Sequence, residues 1–254
     1  MQTDNIRDGI RISVFDNRAL LGKAAAQAVA GTIQKLHATR DTINMVFAAA
    51  PSQNEFLAAL LEYPIAWERI NAFHMDEYLG LGSDAPESFG YYLNTHIFNA
   101  KPFRSVHLLN GLAPDPQAEC TRYASLLKAD PTDIVCLGIG ENTHLAFNDP
   151  PVADFRDPQI VKVVTLDADC RRQQVNDGCF PTFDAVPTQA LTLTIPALMA
   201  GRHLFTMVPG PRKAPAIANT FKNDITERYP STILKQHPAV HLFLDRDSSK
   251  LLQL

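Results

Sequence analysis

Short apolar runs recur along this chain, and helix-like stretches separate them; that order leaves few folds open. The runs are IRISVF (10–15), INMVFAAA (43–50), RINAFHM (69–75), SVHLLNG (105–111), DIVCLGIG (133–140), VKVVTL (161–166), ALTLTI (190–195), HLFTMVP (203–209) and VHLFLD (240–245). Runs of this length, rich in β-branched and aromatic residues, read as strands buried on both faces. Residues 17–38, with Asn17 as N-cap, read as a helix, as do 116–128 and the segment after Pro211. Ser52 followed three residues on by Glu55 has capping-box spacing, which predicts a helix starting there. Strands alternating with helices predict an α/β fold: an open, mainly parallel, doubly wound sheet with helices on both faces. No linker rich in Gly, Ser or Pro, no repeat and no low-complexity tract interrupts the pattern, so residues 1–254 are expected to form a single domain.

Composition narrows the functional classes. The net charge of −4 lacks the basic excess of a nucleic-acid surface. No run of about 18 apolar residues offers a membrane span, and the opening MQTDNIRDGIR has no apolar signal-peptide core. Cysteines stand at 120, 136, 170 and 179, with no C-x-x-C pair. In a chain without a secretion signal they are expected as free thiols, Cys136 within the core, and the protein is expected in the cytoplasm.

In open parallel sheets ligands bind beyond the carboxyl ends of the strands, so polar clusters just after the predicted strands carry most weight. In FHMDEYLGL (73–81), Asp76 and Glu77 are adjacent and on extended backbone point to opposite sides. One can face a cleft as a general base while the other faces structure; the plainer reading is a solvated loop acid. In GIGENTHLAFNDP (138–150), Gly138 and Gly140 suit a tight turn. The run is neither a P-loop nor G-x-G-x-x-G, since Thr143 stands at the last glycine position. His144 can shuttle a proton near neutral pH, and Asp149 can orient it. The plainer reading is a loop histidine beside an Asx-turn at Asn148. In PGPRKA (209–214), Arg212 and Lys213 start a helix against its dipole, which an anionic ligand would offset; otherwise they are surface cations. His74, Asp76 and His144 could meet at one cleft, but no ligand motif such as H-E-x-x-H is present, so no metal is expected.

FHMDEY, GIGENTHLAFNDP, VPTQALTLTIPALM and PGPRKA, in one chain, resemble the glucosamine-6-phosphate deaminase (isomerase) family. That family shares its fold with the 6-phosphogluconolactonases. The resemblance runs from about residue 10 to 250, and the D-E-R and H-T-A-S-type elements of the lactonases are missing here. It implies isomerisation and deamination of an amino-sugar phosphate to a ketose phosphate plus ammonia, with no cofactor and with a homo-oligomeric assembly. Asp76 would be the acid/base, His144 would assist ring opening, Asp149 would tune His144, and Lys213 would hold phosphate. Asn142, Ser52, Glu77, Gly140 and Thr143 fall on or beside the family's site positions. Galactosamine-6-phosphate isomerase, a lactonase-type hydrolase and a non-catalytic sugar-phosphate sensor are the alternatives.

The chain departs from the pattern at the site. Asn142 stands where the family usually has Asp, as in galactosamine-6-phosphate isomerases, and Asp149 where it usually has Glu. Thr143 replaces a glycine. AAAPSQ (48–53) replaces a T-G-G/S-T-P-type phosphate loop, leaving Pro51 and Ser52. Near the usual phosphate-binding arginine stand Asn176 and Asp177, within RRQQVNDG (171–178). A phosphate grip would then fall to Arg171, Arg172 or Arg212 beside Lys213.

Overall fold

The apolar runs form strands, but they assemble into two sheets rather than one. The structure, a computed structural model, describes residues 3–129 and 131–252. The elements begin β1 (Thr3–Arg7), β2 (Ile10–Phe15), α1 (Arg18–His37), β3 (Ile43–Phe47), α2 (Asn54–Leu60), β4 (Ile70–His74), β5 (Asp76–Tyr78) and α3 (Phe89–His96). Next come β6 (Ser105–His107), α4 (Pro116–Ala129), β7 (Ile134–Leu137), β8 (Val161–Thr165), α5 (Ala168–Asn176), β9 (Gln189–Leu193) and α6 (Ile195–Met199). The last are β10 (His203–Val208), α7 (Ala214–Lys222), β11 (Val240–Asp245) and α8 (Arg246–Ser249).

The main sheet runs β1-β2-β11-β10-β7-β3-β4-β6. Every neighbouring pair is parallel except β1 with β2. Alternation along the central strands explains the two layers of helices. Met45, Phe47, Ile134, Cys136, Phe205 and Met207 pack on one side with Leu21, Ala25, Val29 and Ile33 of α1. Val46, Val135, Leu137, Leu204 and Val208 pack on the other with Tyr123 of α4 and Ile217 and Phe221 of α7. The doubly wound α/β sheet expected from the sequence is therefore present. Asn17 caps α1 as expected, its side chain accepting from the Leu20 N–H at 3.0 Å. From β3 the chain moves outward through β4 to β6, then returns to place β7 on the other flank of β3. That reversal opens a crevice at the carboxyl ends of β3 and β7.

Three expectations need correction. The runs at 161–166 and 190–195 do not join the main sheet. β8 and β9 pair antiparallel, with β5 on the far edge of β9, as a separate three-stranded sheet. β8 is half-exposed along much of its length, unlike the fully buried β3, β4 and β7; such a strand suits an antiparallel sheet with one wet face. Second, several runs stop being strand early: β3 ends at Phe47, β6 at His107 and β7 at Leu137. Third, Ser52 does not cap a helix. Pro51–Gln53 forms a 3-10 turn, α2 starts at Asn54, and the Ser52 hydroxyl instead accepts from Gln53 Nε2 at 3.1 Å. Proline at 51 fixes φ and starts the turn one residue early. Glu55, the other half of the expected box, is held by Arg18 at 2.5 Å.

That pairing depends on how closely α1 and α2 approach. A Cβ on Gly22 would lie 2.5 Å from Glu55 Cβ and 2.6 Å from its carbonyl carbon. Gly22→Ala gains helix propensity, worth about 1 kcal/mol, but must push two helices apart against backbone atoms. Overpacking of this kind costs typically ~1–3 kcal/mol. Gly22→Ala should therefore lower the midpoint of urea unfolding, where propensity alone would raise it.

Candidate active site

β4 leaves the main sheet at His74, the chain bends at Met75, and Asp76 begins the small sheet. Two backbone bonds fix the bend: Met75 N–H donates to Phe47 O at 3.3 Å, and Leu193 N–H donates to Met75 O at 2.8 Å. Asp76 is thus placed at the mouth of the crevice, opposite Thr192 of β9. The crevice is a cavity of about 540 Å³. Its walls come from the turns after β3 (Ala48–Ser52), β4 (Met75, Asp76), β7 (Gly138–Gly140, His144) and β10 (Pro209–Lys213), with Arg18 from α1 and Gln173, Gln174, Asn176 and Asp177 at the end of α5.

Asp76 and Glu77 divide as extended backbone requires. Asp76 lines the cavity; burial, with the charges of Glu77 and Asp149, holds its carboxyl well above the ordinary carboxylate range. Glu77 points the other way. It accepts N–H bonds from Tyr78 (2.9 Å), Phe89 (3.1 Å) and Gly90 (2.8 Å), and so anchors the start of α3. Burial pushes it up to about 7 against these three donors. His74 is wholly buried, with Nε2 accepting the Leu109 N–H at 2.8 Å. Burial drives it down to about 3, so it stays neutral within the core and does not join Asp76 and His144.

The β7 turn builds the second group. Gly140 N–H donates to His144 O at 3.0 Å, folding residues 140–144 back on themselves. A Cβ on Gly140 would lie 2.2 Å from His144 Nε2 and Cε1, so only glycine lets the imidazole pack there. Asn148 Nδ2 donates to Leu145 O (2.9 Å) and Leu193 O (2.8 Å), tying the turn to β9. His144 Nδ1 lies 2.8 Å from Asn142 Oδ1 and 2.9 Å from Asp149 Oδ1. Asn142 Nδ2 donates to that same Asp149 oxygen at 2.8 Å. Two acceptors facing Nδ1 put the proton there, which leaves Nε2 as the lone-pair nitrogen for a ligand in the cavity. Asp149 is fully buried. Burial alone would raise its carboxyl, but the charge and hydrogen bond of His144 and the Asn142 amide hold it below the usual value. Cys170 joins His144 and Asp149 in a cluster whose donor atoms lie within 4.8 Å of one another. The His144–Asp149 contact has hydrogen-bond spacing, so Nδ1 is already engaged.

The third group is cationic. Lys213 is nine-tenths buried and its ammonium makes no hydrogen bond or ion pair with the described residues, although it faces the cavity. Burial lowers its ammonium, against the opposing pull of Asp177 and Glu141. Arg212 pairs with Glu141 at 3.1 Å and with Asp177, and donates to Asn176 O at 3.0 Å. Arg171 and Arg172 lie elsewhere. Arg171 donates to Phe183 O and Val186 O with its guanidinium over the Phe183 ring, and Arg172 pairs with Asp169 on the exposed side of α5. Arg18 lines the cavity and was not singled out in the sequence; it donates to Pro51 O at 2.7 Å and to Glu55. Gln173 was also missed. It accepts the Glu141 N–H at 2.8 Å and so joins α5 to the β7 turn. Spacing gives no signal for either, since each comes from a helix distant in sequence.

A family model described as glucosamine-6-phosphate isomerases/6-phosphogluconolactonase matches residues 16–242. A glucosamine-6-phosphate deaminase of Streptococcus sanguinis is 32% identical over 244 residues, covering 96% of this chain and all of that one. One from Listeria innocua is 34% identical over 215 residues, covering 84% of this chain and 90% of that one. A solved monomeric glucosamine-6-phosphate deaminase superposes with a TM-score of 0.85 at 30% identity, over 94% of this chain and 99% of that one. The 6-phosphogluconolactonase of Thermotoga maritima shares the fold at 18% identity, with a TM-score of 0.75 over 92% of this chain and 98% of that one.

Thr143 carries a local cost. Its φ is 73°, it is fully buried, and its hydroxyl finds no partner among the described residues. A left-handed conformation costs a non-glycine residue roughly 1–2 kcal/mol. Thr143→Gly should raise the stability measured by urea unfolding by about 1 kcal/mol; a loss would mean that the threonine methyl packs well enough to outweigh the strain.

Proposed function

The chain belongs to the glucosamine-6-phosphate isomerase/6-phosphogluconolactonase family, and from that premise we propose that its cavity isomerises and deaminates an amino-sugar phosphate of the glucosamine-6-phosphate type. The observation that carries this reading is the placement of an unpaired carboxyl, Asp76, and a tautomer-fixed histidine, His144, on one cavity with an unpartnered buried ammonium, Lys213. His144 Nε2 takes the proton of the anomeric hydroxyl and returns it to the ring oxygen as the ring opens. Asn142 and Asp149 hold the imidazole for that relay. Asp76 removes the proton on carbon 2 and delivers it to carbon 1. Moving that hydrogen, while one N–H proton of the amine passes to the carbonyl oxygen on carbon 1, leaves a carbon–nitrogen double bond at carbon 2 and a hydroxyl at carbon 1. Water adds to carbon 2, ammonia leaves, and the product is a ketose phosphate. Ring opening and the carbon-to-carbon transfer each have a named group to carry the proton, as general acid–base catalysis requires.

Lys213 takes the phosphate, with Ser52 beside it and Arg212 as a second cation once it leaves its acidic partners. Asp177 does not stand as a bare charge in the pocket, because Arg212 neutralises it. The four cysteines carry no disulfide, which fits a reducing compartment and supports a cytoplasmic place for the enzyme. Light scattering would test the expected homo-oligomer, since a solved relative is described as monomeric.

Ammonia release from glucosamine-6-phosphate, galactosamine-6-phosphate and their unphosphorylated sugars tests the reading directly. One phosphorylated amino sugar should give ammonia, and Asp76→Asn should reduce kcat by about 10²–10⁴-fold while still binding that sugar. No ammonia from any of the four would sink it. The base must be ionised to act, and Asp76 holds its proton to higher pH than an ordinary carboxyl. The acidic limb of kcat/KM should therefore lie above the range of an ordinary carboxylate, and Asp76→Glu should move it.

Asp177→Asn frees Arg212 from one of its two acidic partners. It should lower KM for the phosphorylated substrate about twofold to fivefold with little change in kcat. A raised KM would instead mean that Asp177 holds Arg212 where the phosphate needs it.

A further inference from the structure

Asp149 is fully buried at the site, yet only half of its carboxylate is accounted for. Oδ1 receives Asn142 Nδ2 and His144 Nδ1. Oδ2 is buried and has no partner among the described residues. A buried carboxylate oxygen without a donor is costly, and a native site normally supplies one. The side chain in place to do so is Cys170, on the first turn of α5 and 1% exposed. Its sulfur lies within 4.8 Å of the Asp149 carboxylate and the His144 ring. The proposed mechanism leaves this thiol unused.

We propose that Cys170 is a positioning residue: its S–H donates to Asp149 Oδ2 and so fixes the carboxylate that orients His144. The inference rests on the reading of Asp149 as the partner of His144 in the reaction proposed above. Burial and the neighbouring Asp149, Asp76 and Asp167 carboxylates push the Cys170 thiol well above its ordinary value. It therefore stays an S–H donor rather than a thiolate, which would repel Asp149. The proposed Cys170 hydrogen bond acts on the Asp149 carboxyl in the same direction as His144 and Asn142, downward. Tyr78 and Lys213 are further titratable groups that feel this thiol; burial raises the Tyr78 phenol, so it stays neutral, and lowers the Lys213 ammonium. With both oxygens engaged, the carboxylate cannot rotate away from Nδ1, and Nε2 keeps its lone pair toward the cavity. α5 also ends at Asn176, next to the Asp177 that pairs with Arg212. One helix thus fixes the proton-relay side of the cavity through Cys170 and the cationic side through Asp177.

The test compares the parent with Cys170→Ala and Cys170→Ser, free of substrate first. Carboxyl-carbon NMR follows the ionisation of Asp149, its resonance assigned by Asp149→Asn. Cys170→Ala should move the Asp149 midpoint upward and Cys170→Ser, which keeps a donor, should return it toward the parent. In ammonia release, Cys170→Ala should lower kcat about threefold to tenfold, the worth of one hydrogen bond, with KM unchanged. Should the alanine variant not fold, Cys170→Val, which fills the space without a donor, carries the same expectation. An Asp149 titration unaltered in the donor-less variants overturns the proposal, as does a serine variant that behaves like alanine, which would make Cys170 a packing residue. If the parent releases no ammonia, the proposed reaction fails, and the titration alone still decides the role of Cys170.

Discussion

The site depends on a charge kept out of water. Asp149 carries its carboxylate in a position with no solvent exposure, and the turn after β7 exists to make that tolerable. A buried unpaired charge is among the costliest features a fold can hold. Here the compensation is local: Asn142 donates to it, His144 faces it, and Asn148 closes the turn on Leu145 O and staples it to β9 at Leu193 O. Because those partners come from a stretch of a few residues, the carboxylate, amide and imidazole move as one body. Gly140 then sets how close that body sits to the strand end, since any side chain there would displace the ring. The orientation of His144 toward the cavity follows from satisfying Asp149.

The second sheet has a role beyond covering the core. If β8 and β9 had joined the parallel sheet, the strand-end crevice would be bounded by loops alone. Instead β9 supplies a rigid edge, with Asp76 paired across it and the 144–149 turn bonded to its Leu193 carbonyl and its Thr192 hydroxyl. Asp76 and His144 are thereby referenced to one strand, although they arise nearly seventy residues apart in sequence. Groups placed on regular elements hold their geometry more closely than groups on free loops.

What was legible in the sequence follows from that layout. The parallel strands, their order of appearance and the clusters at 73–81, 138–150 and 209–214 could be read because each is a local pattern: an apolar run followed by polar residues. Asp76 facing the cavity with Glu77 facing away follows from the two-residue period of extended chain. What could not be read depends on partners distant in sequence. Lys162 and Val163 sit half-exposed in β8, yet nothing in VKVVTL says which strand it pairs with. Arg171 and Arg172 are neighbours of Asp177 in sequence, but on a helix only the last turn of α5 faces the cavity, and both arginines precede it. Arg18 reaches the site only because α1 crosses from β2 over to β3, a fact of topology. Cys170 reads from sequence only as a free thiol, and only the position of α5 against the β7 turn brings it to Asp149.

The altered phosphate loop has a physical consequence that the cations make visible. Glycine-rich loops grip an anion with backbone N–H groups, which carry no counter-charge of their own. AAAPSQ offers fewer free N–H groups, since Pro51 has none and the Gln53 N–H is spent on Ala50 O. The cavity instead assembles three side-chain cations, but it holds two of them in internal pairs: Arg18 with Glu55, and Arg212 with Glu141 and Asp177. On the proposed reading, a ligand anion therefore meets the Lys213 ammonium unpaired and must compete for the others. Binding by such a site is a redistribution of existing ion pairs rather than the filling of an empty cradle. Its selectivity for a doubly charged group over a singly charged one then comes from whether the ligand can draw Arg212 from its two carboxylates. Substitutions around Asp177 and Glu141 would shift that balance without touching Asp76 or His144, so anion preference and proton transfer can vary independently on this scaffold.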